Sequence, residues 1–130
     1  MPALPWTTVA PAEPGDEVVV MASTFRLRSA RHVPGFLAAS MRIRRQVVAA
    51  PGALGLSLDA RPLRRIFFTL SAWRDRESLD AMIVRDPHRA AMERYRPETE
   101  VADFRFWTVR GADLPIAWDE ARRRLAAPEA

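Results

Sequence analysis

His88, Ala91, Met92 and Tyr95 follow Asp86-Pro87 at helical spacing, so a helix that begins there turns all four toward one side. Asp86 suits the N-cap and Pro87 the first helical position. In a first turn the helix dipole disfavours imidazolium and lowers the pKa of His88. A neutral imidazole beside an apolar cavity can act as base, hydrogen-bond partner or axial haem ligand; the plainer alternative is a helix-start histidine half in solvent. Arg44 is the second unusual residue. Phe36, Ile43 and Val47 form one apolar stripe and Leu37, Met41 and Val48 another. Arg44 projects between them near Ser40, whereas Arg42 and Arg45 project outward. Such an arginine either snorkels off the helix end or meets an anion inside: a carboxylate, an enolate or a haem propionate. Trp73 lies on the same side of an extended run as Phe67, Thr69 and Ser71, and Met21, Ser23 and Phe25 repeat that mixture of apolar and hydroxyl groups. The mixture fits a ligand pocket, and it equally fits an ordinary core with satisfied hydroxyls. The candidate catalytic residues are therefore His88 and Trp73. Met21, Ser23, Phe25, Arg44, Phe67, Thr69, Ser71, Met92 and Tyr95 are the candidates for binding a substrate.

Much other chemistry is excluded. The 130 residues contain no Cys and no Lys, which removes disulfides, thiolate nucleophiles, Cys-ligated metals and Schiff bases. Two histidines, His32 and His88, with no carboxylate pair at ligand spacing, do not make a metal site. No Gly-rich loop opens a helix after a strand, so no nucleotide cofactor is expected. All twenty basic residues are Arg and the net charge is only +4; the pI of 11.1 follows from guanidinium groups that hold their protons beyond pH 12. The acid-free stretch Arg26–Ala50 lacks the interleaved aromatics of a single-strand binder and any recognition-helix context. Nucleic acid is not an expected partner. No apolar run approaches a membrane span, and Met1–Gly15 has neither a basic n-region nor an apolar h-region, so a cytoplasmic location is expected.

The elements that position these residues are readable from pattern. Pro2, Pro5, Pro11 and Pro14 mark residues 1–15 as an irregular arm, which Trp6 could pin to the body. Residues 16–127 then form one domain. Asp16–Arg28, Ala53–Ala60, Arg65–Trp73 and Glu100–Arg110 read as strands. Phe36–Ala50 reads as a helix ended by Pro51-Gly52. Asp75 caps a second helix carrying Leu79, Met82 and Ile83, and the piece after Asp86-Pro87 runs to about Arg96. Pro115–Ala127 supplies a last short helix. The order βαββαβ is the split pattern of ferredoxin-like α+β folds, a four-stranded antiparallel sheet with both main helices on one face.

The other face should then be polar if it met water. Instead Ile66, Phe68, Leu70 and Ala72 point one way while Phe67, Thr69, Ser71 and Trp73 point the other, and Val18, Val20 and Ala22 lie opposite Val19, Met21, Phe25 and Leu27. Two covers are possible: a second subunit packing sheet on sheet as a homodimer, or the C-terminal helix. The purely apolar side of Arg65–Trp73 is the expected subunit interface.

The run Phe67-Phe68-Thr69-Leu70-Ser71-Ala72-Trp73-Arg74-Asp75, then Leu79, then Asp86-Pro87-His88-Arg89-Ala90-Ala91-Met92, resembles the core signature of the spheroidene monooxygenase-like family, grouped with antibiotic biosynthesis monooxygenase-type dimeric α/β barrels. The resemblance extends more loosely over residues 16–110. It implies a ferredoxin-like subunit, a dimer, and a pocket between sheet and helices where a small hydrophobic molecule, aromatic or polyene, is oxidised. It also implies a haem alternative, with His88 at the family histidine. The position of the histidine in haem-degrading relatives falls on Met92 here, which argues against haem degradation. Cofactor-independent members let a phenolate or enolate pass an electron to oxygen, a task Trp73, Ser71, His88 or Arg44 could share. A non-catalytic ligand binder or structural dimer is the third reading.

Overall fold

The computed structural model describes residues 4–127. Five strands, β1 (Thr7–Thr8), β2 (Glu17–Leu27), β3 (Ala53–Arg61), β4 (Ile66–Trp73) and β5 (Thr99–Arg110), form one antiparallel sheet in the order β1-β3-β4-β2-β5. Four α-helices, α1 (Val33–Ala49), α2 (Arg76–Ile83), α3 (His88–Tyr95) and α4 (Trp118–Ala126), complete it. Without β1 this is the ferredoxin-like βαββαβ arrangement expected from sequence. The expected four-stranded sheet gains a fifth strand because the arm is not irregular throughout. Thr7 and Thr8 pair with Leu56 and Gly55 on the open edge of β3. Backbone bonds from Leu4 to Leu58 and from Val9 to Leu54 extend the attachment.

Helix ends follow local chemistry. Asp75 accepts a hydrogen bond from the Ser78 backbone N–H at 2.7 Å and caps α2; the Ser78 side chain first, and this backbone bond second, hold its carboxyl below the usual range. After α1, Gly52 adopts φ +85°, a left-handed conformation that suits glycine, and a Cβ there would run into Ser78. The break between α2 and α3 falls at Asp86-Pro87, but α3 begins one residue later than expected, at His88. Asp86 instead accepts from the Ala90 backbone N–H at 3.1 Å.

The two sheet faces carry separate cores. On the α1–α2–α3 face, Met21, Leu56, Trp73, Leu79 and Met82 pack at one end and Phe25, Leu27, Phe36, Ala60 and Phe67 at the other. On the outer face Val18, Val20, Ala22, Leu70, Ala72 and Trp107 pack against Ile116 and Ala121, with Trp6 and Trp118 beside them. The chain thus covers much of its own second face with α4 and the arm, so the apolar outer face does not by itself call for a second subunit. A polar stitch fixes this cover. Buried Asp59 accepts from Arg122 of α4 and from Arg61 at 3.2 Å, while Ser57 accepts from Trp118 Nε1 at 3.2 Å and donates to the Leu4 carbonyl at 2.7 Å. Among the described residues no helix is long and apolar enough to cross a membrane.

Candidate active site

α1, α2 and α3 do not close fully on the sheet. Phe36 of α1 seals one end of β4 against Phe67, their ring centroids 4.7 Å apart, and Leu79 and Met82 of α2 seal the other over Trp73. Between these seals lies a cavity of about 610 Å³, within the range of small-molecule sites. Period-2 alternation sets its floor: Met21, Ser23 and Phe25 of β2 stand beside Ser71, Thr69 and Phe67 of β4 in register. Helical spacing sets its roof, with Ser40, Ile43, Arg44 and Val47 from α1 and His88, Met92 and Tyr95 from α3.

Nine of the eleven candidates, Met21, Ser23, Phe25, Arg44, Thr69, Ser71, His88, Met92 and Tyr95, line this cavity. Trp73 and Phe67 do not. Both are fully buried beneath the helical seals, so Trp73 presents no surface to the cavity. It acts one step back: its Nε1 donates to Ser71 Oγ at 2.9 Å, which leaves the Ser71 proton free for an acceptor in the cavity. Phe67 supports Phe36 instead of meeting a ligand. Phe104 and Phe106 of β5, not among the sequence candidates, form one wall and remain about 40 % exposed. Their signal was the alternation of Ala102, Phe104 and Phe106 along that strand.

The polar groups divide into two kinds. Ser23 and Thr69 hydrogen-bond to each other across the strands, and Ser40 donates to the Phe36 carbonyl at 2.8 Å. These hydroxyls are largely occupied. His88 is different. Its backbone N–H donates to Gln46 Oε1 at 2.9 Å and its Nδ1 lies 3.0 Å from the Ile83 carbonyl. A carbonyl only accepts, so Nδ1 carries the proton and Nε2 keeps a lone pair. Burial pushes the imidazole pKa below its ordinary value, opposed by the Ile83 bond. The direction agrees with the sequence expectation, and desolvation is its largest cause. Arg44 reaches inward and its Nη2 donates to Thr7 Oγ1 at 2.6 Å. Among the described residues no Asp or Glu lines the cavity, and no cluster of three or more His, Asp or Glu is placed to hold a metal.

No protein-family profile and no curated protein sequence matches the chain. Solved structures do. SnoaB, a cofactor-independent oxygenase from Streptomyces nogalater, superposes with a TM-score of 0.60 at 16 % identity over 74 % of this chain and 95 % of its own. A Caulobacter crescentus protein provisionally named an antibiotic biosynthesis monooxygenase gives 0.61 at 14 % identity over 71 % and 89 %. Protein SO0527 of Shewanella oneidensis gives 0.64 at 13 % identity over 81 % and 97 %. The chain has the ferredoxin-like fold of antibiotic biosynthesis monooxygenase-type proteins.

Proposed function

We propose that the protein is a small-molecule oxygenase that needs no metal, flavin or haem and acts on an apolar aromatic or polyene substrate bearing an acidic C–H or O–H group. One observation carries this reading: a neutral imidazole, its Nδ1 proton held by Ile83 and its Nε2 without a hydrogen-bond partner, lines a mainly apolar cavity that has no carboxylate among the described residues. His88 Nε2 takes a proton from the substrate and leaves an enolate or phenolate. The carbanion gives its electrons to dioxygen, a C–O bond forms, and the proton returns from His88 to the terminal peroxide oxygen. Loss of water then breaks the O–O bond, so the balance at a methylene is CH₂ + O₂ → C=O + H₂O. Ser71, its oxygen already accepting from Trp73, can donate to the developing oxyanion. Phe25, Phe104 and Phe106 supply apolar surface beside the reacting carbon. The name of the fold neighbour SnoaB as a cofactor-independent oxygenase supports the same chemistry, and the spheroidene monooxygenase-like signature supports an oxidised hydrophobic substrate.

The test is oxygen uptake with an enolisable aryl ketone such as 2-tetralone, in chelator and without added cofactor. One O₂ consumed per carbonyl formed is expected; ligand binding with no uptake would make the protein a binder. A second reading, haem ligation by His88, rests on the same Nε2, because axial histidines characteristically hold their other ring proton against a carbonyl or carboxylate. Arg44 and Arg96 at the cavity suit propionates, so the residues fit the group, which would supply oxygen activation when bound. Adding hemin to the same preparation is expected to give no Soret shift beyond free hemin. A shift abolished by His88→Ala would replace the cofactor-free reading.

A homodimer belongs to this proposal. Ile66 and Phe68 lie on the outer face and are only partly buried, which offers a second copy an apolar contact. A dimer is expected in solution at micromolar concentration; a clean monomer of 14.7 kDa would overturn it.

A further inference from the structure

The geometry points to a substrate that carries a carboxylate, received by Arg44 at the β3 side of the cavity. This deepens the oxygenase reading and rests on the same cavity, but its test needs no turnover. Three observations lead to it. First, Arg44 is a half-buried arginine on the wall of a mainly apolar space. Its observed partner is a neutral hydroxyl, Thr7 Oγ1, and among the described residues it makes no ion pair. A guanidinium drawn out of water without an anion is unfavourable, and a carboxylate satisfies its fork of donors in a plane. Second, nothing else among the described lining residues can supply that charge, because they include no Asp or Glu. Arg96 also borders the cavity but is exposed, so water screens it and it gains less from an anion.

Third, the fold sets Arg44 and the apolar opening at opposite edges. Thr7 belongs to β1 at the β3 edge of the sheet, whereas the partly exposed Phe104 and Phe106 belong to β5 at the other edge. From β5 to β3 is three strand spacings, about 14 Å at ~4.8 Å each. A molecule entering past Phe104 and Phe106 would lay its apolar body over the Ser23–Thr69 row beneath His88 and end its carboxylate at Arg44. Thr7 is then a positioning residue: by accepting one N–H it fixes the guanidinium plane. The arm thereby contributes to recognition, which accounts for a two-residue strand docked beside the cavity.

Anthracene-2-carboxylate and its neutral methyl ester, titrated by fluorescence into the full chain at moderate salt, provide the test. The wild type is expected to bind the acid at least tenfold more tightly than the ester. Arg44→Met should abolish that preference while leaving ester affinity within about twofold, and Thr7→Val should weaken acid binding by a smaller factor, roughly threefold. Arg45→Gln, on the outer side of α1, should change neither ligand. Equal affinity for acid and ester, failure of both to bind, or equal loss of both in Arg44→Met and Thr7→Val would overturn the assignment. Because no oxygen is consumed, an acid preference with no uptake would leave the carboxylate site standing and reject only the chemistry. Uptake without the preference would do the reverse.

Discussion

Replacing His88 with Gln is expected to lower oxygen uptake by about a hundred- to ten-thousandfold, the usual worth of a positioned general base, while ligand affinity changes little. Glutamine keeps length and polarity but has no basic nitrogen. The Gln46 bond to the His88 backbone N–H does not depend on the side chain, so α3 should stay in place, and an unchanged far-ultraviolet spectrum would show it. The pH profile gives an independent check. Burial holds the folded-state pKa of His88 below the ordinary value, so the basic form persists as the solution is acidified past about pH 6.5. Uptake should therefore hold constant through that point and fall only at lower pH. Stability moves in the same sense. Between the depressed folded pKa and the ordinary unfolded one, the unfolded chain binds more proton than the folded chain. The contribution is complete above about pH 6.5 and is lost as pH falls toward the folded value. His88→Gln should flatten that part of the stability curve. A variant with wild-type uptake and an unaltered pH profile would exclude His88 as the base.

Why the His88 stripe was readable while parts of the pocket were not has a physical explanation. The stripe is local: Asp86-Pro87 breaks the helix and the following residues repeat at helical spacing. Alternation likewise assigned Thr69, Ser71, Phe67 and Trp73 to one side of β4, and the register with β2 agrees. Alternation cannot tell which residues on a shared face meet the gap. That depends on where α1 and α2 cross the strand: Phe36 lies over Phe67 and the Leu79–Met82 pair over Trp73, leaving Thr69 and Ser71 between them. Large aromatic residues offered most apolar area to the seals and were buried there. Phe104 and Phe106 were missed for a related reason. Their strand was recognised, but its value to the site comes from lying at the sheet edge, where both rings stay about 40 % exposed. The pairing of Thr7-Thr8 with β3 had no local signal at all, since an edge strand accepts any short extended segment with free backbone groups.

The largest stability effect should come from Ala121→Glu. Ala121 sits on α4 with no exposed surface, among Val20, Ala22, Leu70, Ala72 and Trp107. Burying a carboxylate there costs several kcal/mol, and the cluster contains no cationic side chain to pair with it. A nine-residue helix cannot stand that penalty, since helices so short depend on packing for their stability. α4 should therefore leave the sheet before the glutamate is buried. Trp107 and Trp118 would meet water, their emission would shift to the red, and thermal stability would fall by several degrees or more. The freed face, Val18, Val20, Ala22, Leu70 and Ala72, is the surface whose apolar alternation first suggested sheet-on-sheet pairing. Two covers compete for it, and the variant removes one. Concentration-dependent self-association of Ala121→Glu beyond that of the wild type is expected, with the cavity on the opposite face still able to bind the anthracene probe. If melting and tryptophan emission were both unchanged, α4 would not be the cover of that face, and a second copy would have to be.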